Sequence, residues 1–308
     1  MEITVDKDLS GLTVREYLTR RLGYSSAMIK KLKFSEDGIL VNGSFVTVRY
    51  EMKEGDVLSL AVEDRADDVS PYTVPVDLPL DVIYEDGLIT AVNKPAGMPS
   101  HPSHGHRYDT VSNALAYRYR DRNYVFRPVN RLDRDTSGCM LTSNTRDASY
   151  KMYRAMTEGK IIKTYVAVAD GTMTEKEGVW DQPIGRSPTS IITRRIDPDG
   201  KPSLTKYRVL AAEREKTLLL VRPETGRTHQ IRVHAAYAGH PLTGDDLYGA
   251  VSGLIGRQAL HCAETVFPHP GTGETVTVTA PIPADLEELI AEYFPGFDLE
   301  RILKEETI

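Results

Sequence analysis

Apolar positions near the amino terminus predict two short helices followed by a hairpin. Positions 14, 17, 18 and 22 share one helical face, and positions 28, 29 and 32 share another. Two apolar runs, 39–41 and 44–46, flank Asn42-Gly43, a pair that accepts the positive φ values of a type I′ turn. Residues 57–62 add a strand, and Gly23 is predicted to end the first helix. We therefore expect a small α/β domain over residues 1–65.

A polar stretch at 66–78, which contains Pro71 and Pro75, is predicted to be a linker to a second domain over 79–308. In that domain the pattern predicts strands at 82–84, 88–92, 165–168, 205–210, 218–221 and 276–279, and helices at 109–120, 145–157, 228–238 and 284–293. These strands and helices do not alternate regularly. The fold class expected is therefore α+β, with a mainly antiparallel sheet.

Composition excludes several classes of protein. The 308 residues are 40% hydrophobic and 27% charged, which is incompatible with a wholly disordered or fibrous chain. Lys and Arg number 38 against 44 Asp and Glu, so the net charge of −6 excludes a uniformly basic protein. Cys139 and Cys262 are the two cysteines, which argues against a zinc ribbon or a disulfide scaffold. With no spanning-length apolar run and no evident signal peptide, a cytoplasmic protein without a membrane partner is expected.

Basic residues are concentrated in the two predicted amino-terminal helices. Between positions 14 and 35, Glu16 is the one acidic residue. The basic residues there are Arg15, Arg20, Arg21, Lys30, Lys31 and Lys33. Such a face could bind RNA phosphates, or it could be an ordinary solvated helix surface.

Three segments carry candidate chemistry. The run 130–138 places Asp133 and Asp135 in turn-forming sequence, which fits a surface salt-bridge cluster better than a metal site, because no third ligand follows at suitable spacing. In the run 223–234, Arg227 is predicted at a helix entrance, where backbone N–H groups attract anions. In the run 163–168, Tyr165 is a strand tyrosine, a residue that is usually buried with its hydroxyl at the rim of the core.

These segments occur in one order that is similar to a known family. RLDRDTSG, KTYVAV, PETGRTHQIRVH, GHPLTGDDLYG and the upstream YEDGLITAVNKPAGMPSHP resemble the RluA-type pseudouridine synthases, across roughly residues 80–283. Residues 1–65 resemble the S4 RNA-binding domain, which precedes the catalytic domain in many members. Asn130 departs from the family pattern, which usually has histidine before the arginine.

The resemblance implies an isomerase that converts uridine in RNA to pseudouridine without a cofactor or metal. It assigns the essential carboxylate to Asp133, the partner arginine to Arg227 and the tyrosine against the uracil to Tyr165. Arg131 is expected to fill the place of the base that leaves the RNA stack. The basic residues of the two amino-terminal helices are expected to bind RNA phosphates. Large-subunit 23S ribosomal RNA is the expected target, with tRNA the alternative.

Two further alternatives remain at this level. The chain could be an S4-type RNA-binding or assembly protein without catalysis. It could also be a hydrolase of a glycosidic bond, which requires a second carboxylate such as Asp245 or Glu224 across the bond.

Overall fold

The structure is a computed structural model that describes residues 1–22, 24, 26–35, 37–61, 69–70 and 73–297. Gly23 and the linker positions 66–68, 71 and 72 lie outside the described residues. The amino-terminal elements are β1 (Glu2–Thr4), α1 (Val14–Glu16) with a continuing π-helical turn (Tyr17–Arg21), α2 (Ser26–Phe34), β2 (Ile39–Val41), β3 (Ser44–Phe45) and β4 (Val57–Leu60). The strands form an antiparallel sheet in the order β1-β4-β2-β3, with a hydrophobic core of its own.

The predicted hairpin between β2 and β3 is confirmed. Asn42 and Gly43 have φ values of 51° and 74°, as a type I′ turn requires. The φ values of such a turn depend chiefly on the chemistry of its own residues, and this explains why the sequence predicts it accurately.

A second, larger sheet contains the strands that follow. They are β5 (Asp81–Glu85), β6 (Ile89–Lys94), β7 (Ser137–Ser143), β8 (Ile162–Asp170), β9 (Glu177–Trp180), β12 (Thr205–Glu213), β13 (Lys216–Pro223), β14 (Leu260–Pro268) and β15 (Thr275–Thr279). The order is β5-β6-β7-β14-β8-β13-β12-β9, and β15 pairs with β14. Between β9 and β12, β10 (Ile184–Arg186) and β11 (Arg194–Ile196) form a separate hairpin.

The pairing of β7 with β14 is parallel, whereas the other pairings within the described part of the large sheet are antiparallel. At the start of β7, Gly138 has φ +111°, and a Cβ there would lie 2.2 Å from the Cys262 carbonyl oxygen. Glycine is therefore needed for β7 to approach β14. The expected α+β class with a mainly antiparallel sheet is confirmed.

Helices cover both faces of the large sheet. They are α3 (Val111–Arg118), α4 (Arg146–Thr157), α5 (Gln230–Tyr237) and α6 (Ala284–Tyr293). Residues of α3, α4 and α5 share one hydrophobic core, and α6 packs into a core on the other face. Along β8, Tyr165 belongs to the first core and Val166 to the second, as strand alternation requires. Within the described residues, no helix has the length and apolar character needed to cross a membrane.

Tyr24, between the π-helical turn and α2, contacts α4 beside the large sheet. The Tyr24 hydroxyl donates to Asp147 Oδ1 at 3.0 Å, and the Tyr24 ring packs edge-on against Tyr150 with centroids 5.5 Å apart. Asp147 and Tyr150 both belong to α4. The contact therefore joins the helical part of the amino-terminal residues to α4.

Candidate active site

Asp133 lies in the loop that leads into β7, and its neighbours hold this loop at both ends. The Ser100 hydroxyl donates to the Leu132 carbonyl at 3.0 Å and accepts from the Leu132 N–H at 3.3 Å. The buried Asn130 accepts from the Leu141 N–H at 2.7 Å, which ties the loop to β7. The Asp133 side chain keeps 24% of its surface exposed. Its carboxylate is therefore held in place and remains open to a ligand.

Lys94, at the end of β6, is hydrogen-bonded to the same loop through the carbonyl oxygen of Arg134. Its ammonium is fully buried and donates to the carbonyl oxygens of Pro95, Met98 and Arg134 at 2.7–2.8 Å. Burial lowers the pKa of Lys94 to about 7, and the nearby carboxylates of Asp135 and Asp133 oppose that shift. An ammonium has three donors, so its charged form satisfies all three carbonyls.

We expect Lys94→Met to destabilise the protein by at least about 3 kcal/mol, because each unsatisfied buried carbonyl costs roughly 1 to 3 kcal/mol. Urea unfolding followed by circular dichroism measures this change. The matched control is Lys160→Met at an exposed position, where the free energy of unfolding should change by less than about 0.5 kcal/mol. Equal stability of the two variants would contradict this role of Lys94.

Arg232, in the first turn of α5, is the arginine that faces Asp133. Its Nη1 lies 3.7 Å from Asp133 Oδ2. Its Nε and Nη2 donate to the two carboxylate oxygens of Asp245, each at 2.7 Å. Arg232 is 4% exposed and Asp245 is fully buried. Burial acts against the charge of Arg232, but hydrogen bonding and the charge of Asp245 outweigh it and raise its pKa.

Asp245 holds that guanidinium in one orientation. Besides the two bonds to Arg232, Asp245 Oδ1 accepts from the backbone N–H groups of Leu247 and Tyr248 at 3.0 and 3.1 Å. The preceding Gly244 has φ +77°, and a Cβ there would lie 2.3 Å from the Arg257 carbonyl oxygen. Because of this fixed arrangement, the remaining nitrogen of Arg232 points to Asp133.

Among the ion pairs of the described residues, none joins Arg227, the predicted partner, to Asp133. Its Nε donates to the Pro202 carbonyl oxygen at 3.1 Å. The predicted helix at 228–238 begins only at Gln230, after His229 in a left-handed conformation, so Arg227 lies in the preceding turn. The sequence did contain a signal for Arg232: it lies between the apolar Ile231 and Val233 in the predicted helix, and a buried arginine requires an anionic partner.

Tyr165 lies in the middle of the large sheet, opposite Val221 of β13 and Cys262 of β14. It is 6% exposed. Burial raises the pKa of Tyr165 well above its ordinary value, and the neighbouring Cys262 and Asp133 add to the shift. The phenol is therefore protonated at neutral pH.

The other predicted residues are at the surface. Arg131 is exposed. Burial lowers the pKa of His101, and the charge of Arg131 lowers it further. The six basic residues of the amino-terminal helices are exposed, and Arg20 pairs with Glu16 at 3.3 Å. Lys33 lies over the ring of Phe34, which is itself 73% exposed. Asp135, the second carboxylate of the predicted turn, pairs with Arg134 at 2.8 Å.

Comparison with known proteins agrees with the sequence resemblance. The family described as RNA pseudouridylate synthase matches residues 89–237. The "Uncharacterized RNA pseudouridine synthase YjbO" of Bacillus subtilis (strain 168) is 41% identical over 281 residues, which are 91% of this chain and 98% of that protein. The "Ribosomal large subunit pseudouridine synthase D" of Pasteurella multocida (strain Pm70) is 40% identical, over 90% of each chain.

A solved structure shows the same fold. "Human RNA Pseudouridylate Synthase Domain Containing 1" superposes with a TM-score of 0.59 at 31% identity, over 73% of this chain and 94% of that one. These relatives match over nearly their whole length. The chain therefore belongs to the RNA pseudouridylate synthase family and is an RNA pseudouridine synthase of the RluA type.

Proposed function

We propose that the enzyme isomerises uridine in 23S ribosomal RNA, with Asp133 as its essential carboxylate and Arg232 as the arginine that orients it. The observation that carries this proposal is the 3.7 Å approach of the Arg232 guanidinium to a partly exposed Asp133. A carboxylate that must act on a sugar has to be held in one position, and the fixed guanidinium of Arg232 faces one of its two oxygens. Arg232 replaces Arg227 in this proposal.

The reaction rearranges the uridine without changing its composition. The N1–C1′ bond breaks, the uracil turns within the site, a C5–C1′ bond forms, and the proton on C5 is lost while N1 gains one. Asp133 acts at the sugar, either on C1′ or on the 2′ proton. No oxidant or reductant is required, because the atoms and electrons balance within the nucleotide.

Tyr165 is proposed to lie against the uracil and to assist the final proton transfer from C5. Its raised pKa keeps the phenol protonated, so we assign it stacking and proton relay rather than action as a phenolate. Arg131, exposed two residues before Asp133, is proposed to occupy the space that the flipped nucleotide leaves in the RNA. The exchange would offset an unstacking cost on the order of a few kcal/mol.

The hydrolase alternative is disfavoured by the surroundings of its second carboxylate. Asp245 is fully buried and bound by Arg232 and two backbone N–H groups, so it is not available to protonate a leaving group. Glu224 is half exposed and pairs with Lys206. Neither carboxylate therefore resembles the protonated general acid that such a hydrolase requires across the glycosidic bond from Asp133.

Ribosomal RNA is favoured as the target by the relatives and by the amino-terminal residues. Several similar proteins carry the name ribosomal large subunit pseudouridine synthase D. We propose that residues 1–65 are an S4-like RNA-binding domain, residues 66–78 a linker and residues 79–308 the catalytic domain. The exposed basic residues of α1, its continuation and α2 would then contact the ribosomal RNA backbone.

The target is tested by mapping pseudouridines in the RNA of a deletion strain and of the same strain supplied with the gene. Carbodiimide-dependent stops of reverse transcription report each pseudouridine. We expect one or more sites in large-subunit ribosomal RNA to disappear on deletion and to return on complementation. Sites lost from tRNA instead would support the tRNA alternative, and an unchanged pattern would support the noncatalytic alternative.

Neutralising the basic face should weaken RNA binding and its dependence on salt. For Lys30, Lys31 and Lys33 changed together to glutamine, we expect the slope of log K against log salt concentration to fall by about 2, since each phosphate contact contributes roughly 0.7 to 0.9. Filter binding at several salt concentrations measures the slope. The control changes Lys160, Lys176 and Lys206, which are also exposed, and removes the same charge. Equal slopes for both triple variants would mean that the face is merely solvated.

A further inference from the structure

His229 occupies a strained backbone position directly before α5. Its φ is 57° and its ψ is 20°, which is the left-handed region that residues other than glycine rarely enter. Strained residues of this kind persist where surrounding contacts fix them, and they concentrate at functional sites. The His229 side chain is only 11% exposed, so its ring is fixed as well as its backbone.

A chain of hydrogen bonds determines which ring nitrogen of His229 carries the proton. The backbone N–H of Arg194 donates to the Tyr248 hydroxyl oxygen at 2.7 Å, and that hydroxyl lies 2.8 Å from His229 Nδ1. Among the described residues, His229 Nδ1 is the one acceptor placed for the Tyr248 proton. Tyr248 therefore donates to Nδ1, and the ring proton of a neutral His229 resides on Nε2.

The electrostatic surroundings keep that imidazole neutral. Burial lowers the pKa of His229, and Arg232 and Arg194 lower it further, against the opposing charges of Asp133 and Asp245. A neutral imidazole with its proton on Nε2 presents a single N–H donor on the side away from Tyr248. That side faces Asp133, whose Oδ1 lies 4.0 Å from Nε2.

We propose that His229 is a positioning residue that directs its Nε2–H to Oδ1 of Asp133, while Arg232 holds Oδ2. This inference rests on the proposed function of Asp133. The two groups approach the carboxylate at different oxygens, so together they fix both its position and its rotation. The 4.0 Å separation closes to a hydrogen bond when the uridine binds beside Asp133, as catalytic contacts commonly tighten in the substrate complex. Tyr248 acts one step further away, by fixing the ring proton on Nε2.

The test compares His229→Leu with His229→Gln on transcripts of 23S ribosomal RNA and tRNA. Leucine removes the donor, whereas the glutamine amide can place an N–H near the position of Nε2. We expect leucine to lower kcat roughly 10- to 100-fold, the usual effect of losing a residue that orients a reacting group, with KM changed less than about threefold. Glutamine should restore kcat to at least about threefold above that of the leucine variant.

Tyr248→Phe provides an independent variant that leaves His229 in place. Loss of the hydroxyl frees the ring proton to move to Nδ1, so kcat should fall about tenfold without a matching change in KM. Thermal unfolding of each variant identifies any that do not fold. If the His229 variants do not fold, Tyr248→Phe alone tests the inference. The inference would be overturned if folded His229→Leu or Tyr248→Phe had the kcat of wild type, or if the leucine and glutamine variants lost kcat equally. Either result would leave the Asp133-dependent activity of the wild type, and so the proposed function, intact. Wild-type protein that forms no Asp133-dependent pseudouridine would overturn the proposed function and this inference together.

Discussion

Asp133→Asn is expected to abolish pseudouridine formation, lowering kcat by at least roughly 10⁴-fold, while RNA binding stays within about threefold of wild type. The amide is nearly identical in shape but has no negative charge, so it can neither attack C1′ nor take the 2′ proton. It also removes the attraction between Asp133 and Arg232, whose nitrogen lies 3.7 Å away. Single-turnover formation of pseudouridine, together with filter binding, measures both effects.

Asp135→Asn is the matched control for this experiment. Asp135 is two residues away and pairs with Arg134 at the surface, so we expect its variant to keep activity within about tenfold of wild type. The comparison also addresses the possibility that the two aspartates hold a metal ion together, which would require both carboxylates. Equal and complete loss in both variants would contradict the specific role of Asp133.

Arg232→Lys is expected to lower kcat about 100-fold, because lysine keeps the charge but cannot hold Asp245 with two nitrogens and face Asp133 with a third. Arg227→Lys should change kcat less than about threefold, since the Arg227 guanidinium contacts the backbone carbonyl of Pro202. The ratio of the two effects distinguishes the arginine that the structure places beside Asp133 from the one that the motif predicted.

Stability has to be followed in the same experiment. Removal of a partner from a buried ion pair costs about 3 to 5 kcal/mol, and Asp245 is fully buried beside Arg232. The double variant Arg232→Met with Asp245→Asn avoids an unpaired buried charge, and it should fold but remain inactive. A folded double variant with wild-type activity, or an inactive and folded Arg227→Lys, would show that Arg232 is not the orienting residue.

The features predicted correctly from the sequence depend on local chemistry. The turn at Asn42-Gly43 follows from two residues that accept positive φ, and the helix at 284–293 coincides with α6 because its apolar spacing is regular. The family motif identified the segment around Asp133 for the same reason, since the motif is a continuous run of residues. Each of these predictions needed only neighbours along the chain.

The choice between Arg227 and Arg232 could not be made in that way. It depends on the left-handed conformation of His229, which delays the start of α5 by two residues relative to the prediction. That conformation is supported by Tyr248, which comes from a different loop. Propensity and periodicity along one segment do not contain this information, because the contact that decides the helix start is distant in sequence.

Lys94 illustrates the same limit. A lysine at the end of a strand is usually expected to be exposed, yet this one is fully buried and bound by three carbonyl oxygens. One of them, that of Arg134, belongs to the Asp133 loop. The parallel pairing of β7 with β14, which requires Gly138, likewise depends on chain segments that meet only in the folded protein.

The most direct test of the account is a crystal structure of Asp133→Asn protein bound to an RNA that contains its target uridine. We predict a uridine turned out of the RNA, with its C1′ or 2′ position about 3 to 3.5 Å from the substituted side chain, as reacting groups require. The uracil should contact Tyr165, and Arg131 should lie in the vacated place. A uridine that remains stacked in the RNA, or that binds away from residues 133 and 232, would contradict the proposal.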